Sequence, residues 1–141
     1  MQTGGCSCGD LRYSVSDPPI AVYACHCTNC QTLTGSAFGV VAIVPSRSFV
    51  MNGNARLIPR VLGSGIAMNR KVCATCGVWV CGGSRLDLRP TQDMIAIRAG
   101  TFDDTSWIRP TAHYWTKSAQ PWIVFPGDAD LYETQPEMPT D

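Results

Sequence analysis

The chain has 141 residues, 45% hydrophobic and only 16% charged, and its eleven Lys+Arg balance its eleven Asp+Glu. That is the size of one ordinary domain, and the neutral balance leaves no broad basic face for nucleic acid or an anionic membrane. No apolar run approaches the roughly 20 residues of a membrane span. The opening Met1-Gln2-Thr3-Gly4-Gly5-Cys6 lacks the basic and apolar parts of a signal peptide, so the expectation is a soluble, cytoplasmic domain.

In chain order, the alternation Leu11-Arg12-Tyr13-Ser14-Val15 predicts a strand. Short β-branched or aromatic runs predict others at Ile20–Ala24, Phe38–Val44, Ala55–Leu62, Gly65–Val72, Val78–Cys81, Met94–Ala99 and Trp122–Phe125. Turn residues separate them, as at Asp17-Pro18-Pro19, Asn52-Gly53-Asn54 and Gly63-Ser64-Gly65. One helical turn is expected at Thr28–Leu33. Many short strands without an amphipathic helix of three turns predict an all-β domain over residues 1–126. Residues 127–141, rich in Pro, Asp, Glu and Thr, read as an extended or frayed tail.

Eight cysteines carry most of the information: Cys6-x-Cys8, Cys25-x-Cys27-x-x-Cys30, Cys73-x-x-Cys76 and an isolated Cys81. Disulfides belong to oxidising compartments, and Cys-x-Cys closes on itself only with strain. Metal ligation needs only several thiolates aimed at one point, so zinc is the better reading. In an extended strand Cys6 and Cys8 share a face. Gly77 after Cys76 lets a zinc knuckle turn tightly. These two pairs predict a closed, structural four-thiolate site, with Arg70 and Lys71 near enough to offset its charge, unless they simply solvate the surface. Cys25, Cys27 and Cys30 supply three ligands from one segment, which is how catalytic zinc keeps a position open. Closure by Cys81, or a site that holds metal only transiently, is the rival reading.

Gly4-Gly5-Cys6-Ser7-Cys8-Gly9-Asp10-Leu11-Arg12-Tyr13, Cys25-His26-Cys27-Thr28-Asn29-Cys30-Gln31 with Thr34-Gly35-Ser36-Ala37-Phe38-Gly39, and Cys73-Ala74-Thr75-Cys76-Gly77 resemble the glutathione-dependent formaldehyde-activating enzyme family, or CENP-V/GFA domain. His113-Tyr114-Trp115 and Ser118-Ala119-Gln120-Pro121-Trp122 resemble its C-terminal signature, so the likeness covers about residues 3 to 125. It implies an Mss4-like, tent-shaped β fold of short antiparallel strands with two zinc ions. Cys6, Cys8, Cys73 and Cys76 match the structural ligands, and Cys25, Cys27 and Cys30 the catalytic ones. The implied activity is carbon–sulfur lyase chemistry, joining formaldehyde to glutathione as S-hydroxymethylglutathione.

For such a reaction the partners are a small-molecule thiol and an aldehyde, and the sequence leaves room for a homodimer. The Thr34-Gly35-Ser36 turn is a candidate donor to the developing alkoxide, through backbone N–H groups or the Ser36 hydroxyl. His113 is the candidate for moving the alkoxide proton. His26, between two ligands, points away from their metal and reads as a structural hydrogen-bonding group. Phe38, Trp79, Trp107, Trp115 and Trp122 are candidates to wall a cleft, although aromatics in a small β domain are more often core. The alternative function is a non-catalytic binding module held by two closed zinc sites.

Overall fold

A computed structural model describes residues 1–61, 67–82 and 93–136. Among them β1 (Gln2–Gly5), β2 (Arg12–Val15) and β5 (Phe49–Asn52) form a three-stranded sheet in the order β1-β2-β5. The remaining strands are β3 (Ala21–Cys25), β4 (Gly39–Pro45), β6 (Ala55–Val61), β7 (Ala67–Cys73), β8 (Trp79–Gly82), β9 (Met94–Arg98), β10 (Ala112–Tyr114) and β11 (Asp130–Leu131). They form an eight-stranded sheet in the order β11-β10-β3-β4-β9-β8-β7-β6. Pairing is antiparallel except at one edge, where β10 runs parallel to both β3 and β11.

The apolar run of β4 explains its central place. Ala42 and Val44 enter the main core, while Val41 and Ile43 pack with Met94 in a second cluster, so both faces of the strand are covered. The strict alternation of β2 does the opposite. Tyr13 and Val15 point into the main core and Arg12 stays outside. Tyr13 meets Phe49 and Phe102 at ring distances of 5.5 and 5.4 Å, and its hydroxyl hydrogen-bonds Thr101. Pro59 sits in β6, an edge strand, where its missing N–H breaks no inner ladder.

The all-β class, the strand from Arg12 to Val15 and the short helix are as expected, the helix α1 spanning Thr28–Thr34. Leu62 and the Gly63-Ser64-Gly65 turn, predicted to end one strand and begin the next, lie outside the described residues, as do 137–141. Four short strands, β1, β5, β10 and β11, were not expected. Trp122–Phe125 is not a strand. Pro121 and Pro126 bracket it, and the Ile123 N–H turns back to the Gln120 carbonyl. The segment after Pro126 does not fray over its described length: β11 pairs with β10, and the Tyr132 N–H donates to the His113 carbonyl.

Candidate metal centres

The sulfurs of Cys6, Cys8, Cys73 and Cys76 all lie within 4.8 Å of one another. Two turns bring them together. After β1 the chain loops so that the Leu11 N–H donates to Cys6 Sγ at 3.3 Å and the Cys6 N–H to the Leu11 carbonyl. Cys6 and Cys8 therefore converge through a turn, with Gly9 at φ +85°, and not through the strand alternation expected from their spacing. The second turn is the predicted knuckle. The Gly77 N–H donates to the Cys73 carbonyl, and Gly77 takes φ +81°, a region costly for any residue with a Cβ. The Thr75 hydroxyl donates to Asp10 at 2.7 Å and ties the two turns together.

The sulfurs of Cys25, Cys27 and Cys30 form the second group, again within 4.8 Å. Cys25 ends β3, Cys27 is the N-cap of α1, and Cys30 lies in the helix's first turn. Cys27 Sγ accepts the Cys30 N–H at 3.3 Å, so the cap that starts the helix also fixes the distance between two sulfurs. Cys81 does not join this group. It is buried in the main core beside Val80 and Ile97, where burial pushes its thiol up to about 11. Arg70 lies over the Trp79 ring, 5.5 Å from its centroid.

Both groups suit a thiophilic dication. Hydrogen bonds from Cys27 and Cys30, with burial, push the Cys25 thiol far up, because three thiolates this close repel one another. At the first group burial raises Cys6, but the Leu11 amide and the neighbouring thiols outweigh it and bring Cys6 down to about 6. A divalent ion among the sulfurs would relieve that repulsion, and clustered all-sulfur donors suit zinc.

His26 and His113 form a buried pair, with His26 Nε2 2.9 Å from His113 Nδ1. Phe125 packs edge-on to both rings at 5.3 and 5.1 Å, and Phe38 lies 5.0 Å from His26. Burial holds both imidazoles below their ordinary value, so both are neutral at pH 7. His26 Nδ1 is buried without a partner. A proton there would be an orphaned donor, so the proton belongs on Nε2 and His26 donates to His113. The pair links the three-cysteine segment to β10, and the backbone N–H of His26 also donates to the Tyr114 carbonyl.

The Thr34-Gly35-Ser36 turn is a Schellman cap on α1. The Gly35 N–H donates to Thr32, the Ser36 N–H donates to Gln31, and Gly35 is left-handed at φ +60°. Those amides are spent on the helix and do not supply the expected oxyanion donors; only the exposed Ser36 hydroxyl remains. It borders a cavity of about 610 Å³ with Gln31, Phe38, Gln120 and Trp122. Among the proposed cleft aromatics, Phe38 and Trp79 share a second cavity, Trp107 packs on Phe102 in the core, and Trp115 packs against the cluster of Cys25, Cys30 and Tyr114. Trp115 is also strained, at φ +61°. Sequence reasoning missed Arg98 and Gln31. Arg98 stacks on Trp79 at 4.3 Å, and the Gln31 amide donates to the carbonyls of both His26 and Ser118.

A family model described as glutathione-dependent formaldehyde-activating enzyme matches residues 1–118. Proteins of Talaromyces marneffei and Phaeosphaeria nodorum, both provisionally named glutathione-dependent formaldehyde-activating enzyme, are 23% and 26% identical over 105 residues. The match covers 74% of this chain and 55% and 54% of theirs, so the chain spans about half the length of these curated relatives. A crystal structure of a Rhodobacter sphaeroides protein aligns with TM-score 0.52 and 16% identity, over 77% of this chain and 91% of that one, which shows a shared fold. The architecture is accordingly all-β and Mss4-like. Among the described residues no helix is long and apolar enough to cross a membrane. Both cysteine groups fall within the matched span, and the chain belongs to the glutathione-dependent formaldehyde-activating enzyme family.

Proposed function

We propose that the protein is a zinc-dependent enzyme of the carbon–sulfur lyase type that joins a small thiol to an aldehyde, glutathione and formaldehyde in the family's namesake reaction, or reverses that union. The observation that carries this reading is the asymmetry of the two groups, four convergent sulfurs in one and three in the other. Four thiolates fill a tetrahedral ion, whereas three leave one position for an incoming ligand. Zinc held by Cys25, Cys27 and Cys30 would supply Lewis acidity and lower a thiol's pKa from its usual value of about 8.5.

The other contributions come from the chain itself. Three thiolates and one dication carry about −1 together, so an anionic sulfur that joins them is weakly enough held to leave again. Phe38, which borders both cavities, limits the water around the reacting groups. Ser36 is the proposed hydroxyl donor to the developing alkoxide. His113 acts as a positioning residue through His26, replacing the direct proton transfer suggested by the sequence, because it is buried behind Phe125. In the addition one C–S bond forms, the carbonyl becomes a hydroxyl, and the thiol's proton ends on that oxygen. No oxidant or reductant is consumed.

A non-catalytic module would require the second group to be closed, and Cys81, the candidate for closing it, is held in the other core. The test is to load the protein with two zinc ions and follow glutathione–formaldehyde exchange by NMR exchange spectroscopy. The expected result is a rate above that of the protein-free mixture, lost in a folded Cys27→Ser variant. A two-zinc protein that leaves the rate unchanged would refute the reading.

A further inference from the structure

Resting on the metal proposed above for Cys25, Cys27 and Cys30, we infer that residues 130–135 form a latch that holds Trp115 as a wall of the three-cysteine group and sets how fast a divalent ion enters and leaves it. Trp115 follows Tyr114, the last residue of β10, whose register partner is Cys25. Its side chain packs against the cluster of Cys25, Cys30 and Tyr114. Among the described residues it is also the only non-glycine with a positive φ, at +61°. A bulky side chain takes that conformation only where its surroundings over-determine it.

The latch supplies that constraint. The backbone N–H of Trp115 donates to the Thr134 carbonyl at 3.3 Å, and that of Thr116 to the Tyr132 carbonyl at 3.0 Å. The indole N–H donates to Gln135 Oε1 at 3.2 Å, so the main chain and the ring of Trp115 are tied to one segment. β11 anchors that segment in turn. The Asp130 N–H donates to the Thr111 carbonyl and the Tyr132 N–H to the His113 carbonyl, both at 2.9 Å. The Tyr132 ring adds an edge contact to Tyr114 at 5.6 Å.

The same contacts let the latch open. Every residue from 130 to 135 is exposed, Leu131 by 52% and Tyr132 by 39%, so little apolar surface is buried there. What holds the segment is hydrogen bonding, each bond of modest net worth once water can replace it. The Arg109–Asp128 pair just before β11 is exposed on both sides and adds little. A segment held in this way opens locally at far lower cost than the core. With the latch closed, the indole keeps water off the sulfurs, and the attraction between a dication and its thiolates stays strong. With it open, Trp115 is free to leave its left-handed conformation, and water or a competing ligand reaches the ion.

The test loads the full chain with two zinc ions and follows their release to the coloured chelator 4-(2-pyridylazo)resorcinol. The phase missing in Cys27→Ser is that of the three-cysteine group. Tyr132→Pro removes the N–H that anchors the latch and is expected to speed that phase about five- to tenfold, the range of one lost hydrogen bond, with the tetrad's phase unchanged. Tyr132→Phe keeps the amide and the ring and should match wild type. Trp115→Gly removes the wall and accepts a positive φ, so release should be fast and Tyr132→Pro should add nothing to it. Hydrogen exchange on the wild type gives a reading that needs no variant to fold. The Trp115 and Thr116 amides should exchange at least about tenfold faster than the His26 amide, which donates to the Tyr114 carbonyl. Unchanged release in Tyr132→Pro, equal acceleration of both phases, additive effects of the two substitutions, or equal protection of the three amides overturns the latch while the metal site stands. A protein that holds one zinc, all of it in the tetrad, removes the metal proposed for the three-cysteine group, and the latch's role with it.

Discussion

Cys73→Ser and Cys27→Ser each remove one proposed metal ligand, yet they should differ sharply in stability. Cys8 and Cys73 meet at 3.7 Å across 65 residues of chain, whereas Cys25 to Cys30 is a local segment. Closing the longer loop removes about 2 kcal/mol more entropy from the unfolded chain. Cys73 is also fully buried, so a serine hydroxyl there lacks a partner at a cost of about 1–3 kcal/mol. Cys27 is only half-buried, and its sulfur serves as the N-cap of α1, a position serine fills well. The gap between the variants is then about 3–5 kcal/mol, or about 10–15 °C for a domain of this size. It adds to a loss of metal-binding free energy that, for a structural zinc site, is comparable to the whole stability of a domain. Thermal unfolding by circular dichroism, with zinc counted by plasma mass spectrometry, reads both effects. Cys27→Ser should keep one zinc and a cooperative transition, while Cys73→Ser should lose the structural ion and unfold near or below room temperature. Equal melting temperatures, or two zinc ions retained in Cys73→Ser, would refute the division into a long-range clamp and a local site.

His113→Leu strands the His26 donor and should cost about 1–3 kcal/mol. It should also speed release of the metal at Cys25, Cys27 and Cys30 to a chelator, and His113→Asn, which restores an acceptor, should recover part of both losses; unchanged release in His113→Leu would remove the bracing role. At the other sheet, Arg12 and then Thr3 hold the Asp103 carboxyl below its ordinary value. A lowered folded value stabilises above the unfolded pKa and is lost as pH falls through the folded one. Melting curves of Asp103→Asn should therefore lie below wild type at pH 6 and approach it below about pH 4, whereas a constant offset would show that charge is not the cause.

The cysteine groups were legible because spacing within each motif is a local property, and a short turn is enough to make neighbouring sulfurs converge. The same holds for α1, whose start is fixed by Cys27 and whose end is fixed by Gly35. Strand β4 could be read from its apolar run. Strands β1, β5, β10 and β11 could not. Gln2–Gly5 holds two glycines, and Ala112–Tyr114 and Asp130–Leu131 are too short to show a period. They exist because a neighbour offers a ladder, which is tertiary information. Ser36 illustrates a different limit: its hydroxyl was a fair candidate, but the destination of its amide depends on the helix closing first. The His26–His113 bond and the Arg98–Trp79 stack join residues whose separation or placement no local pattern records.

Those long-range contacts also explain why three cysteines in a row do not by themselves make a reactive site. The segment carrying them is fixed largely by residues 113–120, which contain no cysteine. The Tyr114 carbonyl receives the His26 N–H, His113 receives the His26 ring, and the Ser118 carbonyl receives the Gln31 amide. Gln120 adds a hydrogen bond to the Gln31 side chain, and Trp122 in turn donates to Gln120. Parallel pairing of β10 with β3 carries this brace to Cys25 itself. A closed tetrad needs no such support, because its fourth ligand completes the geometry. The proposed triad with its open position would need rigidity from outside the metal, and the strand and turn at residues 112–122 supply it.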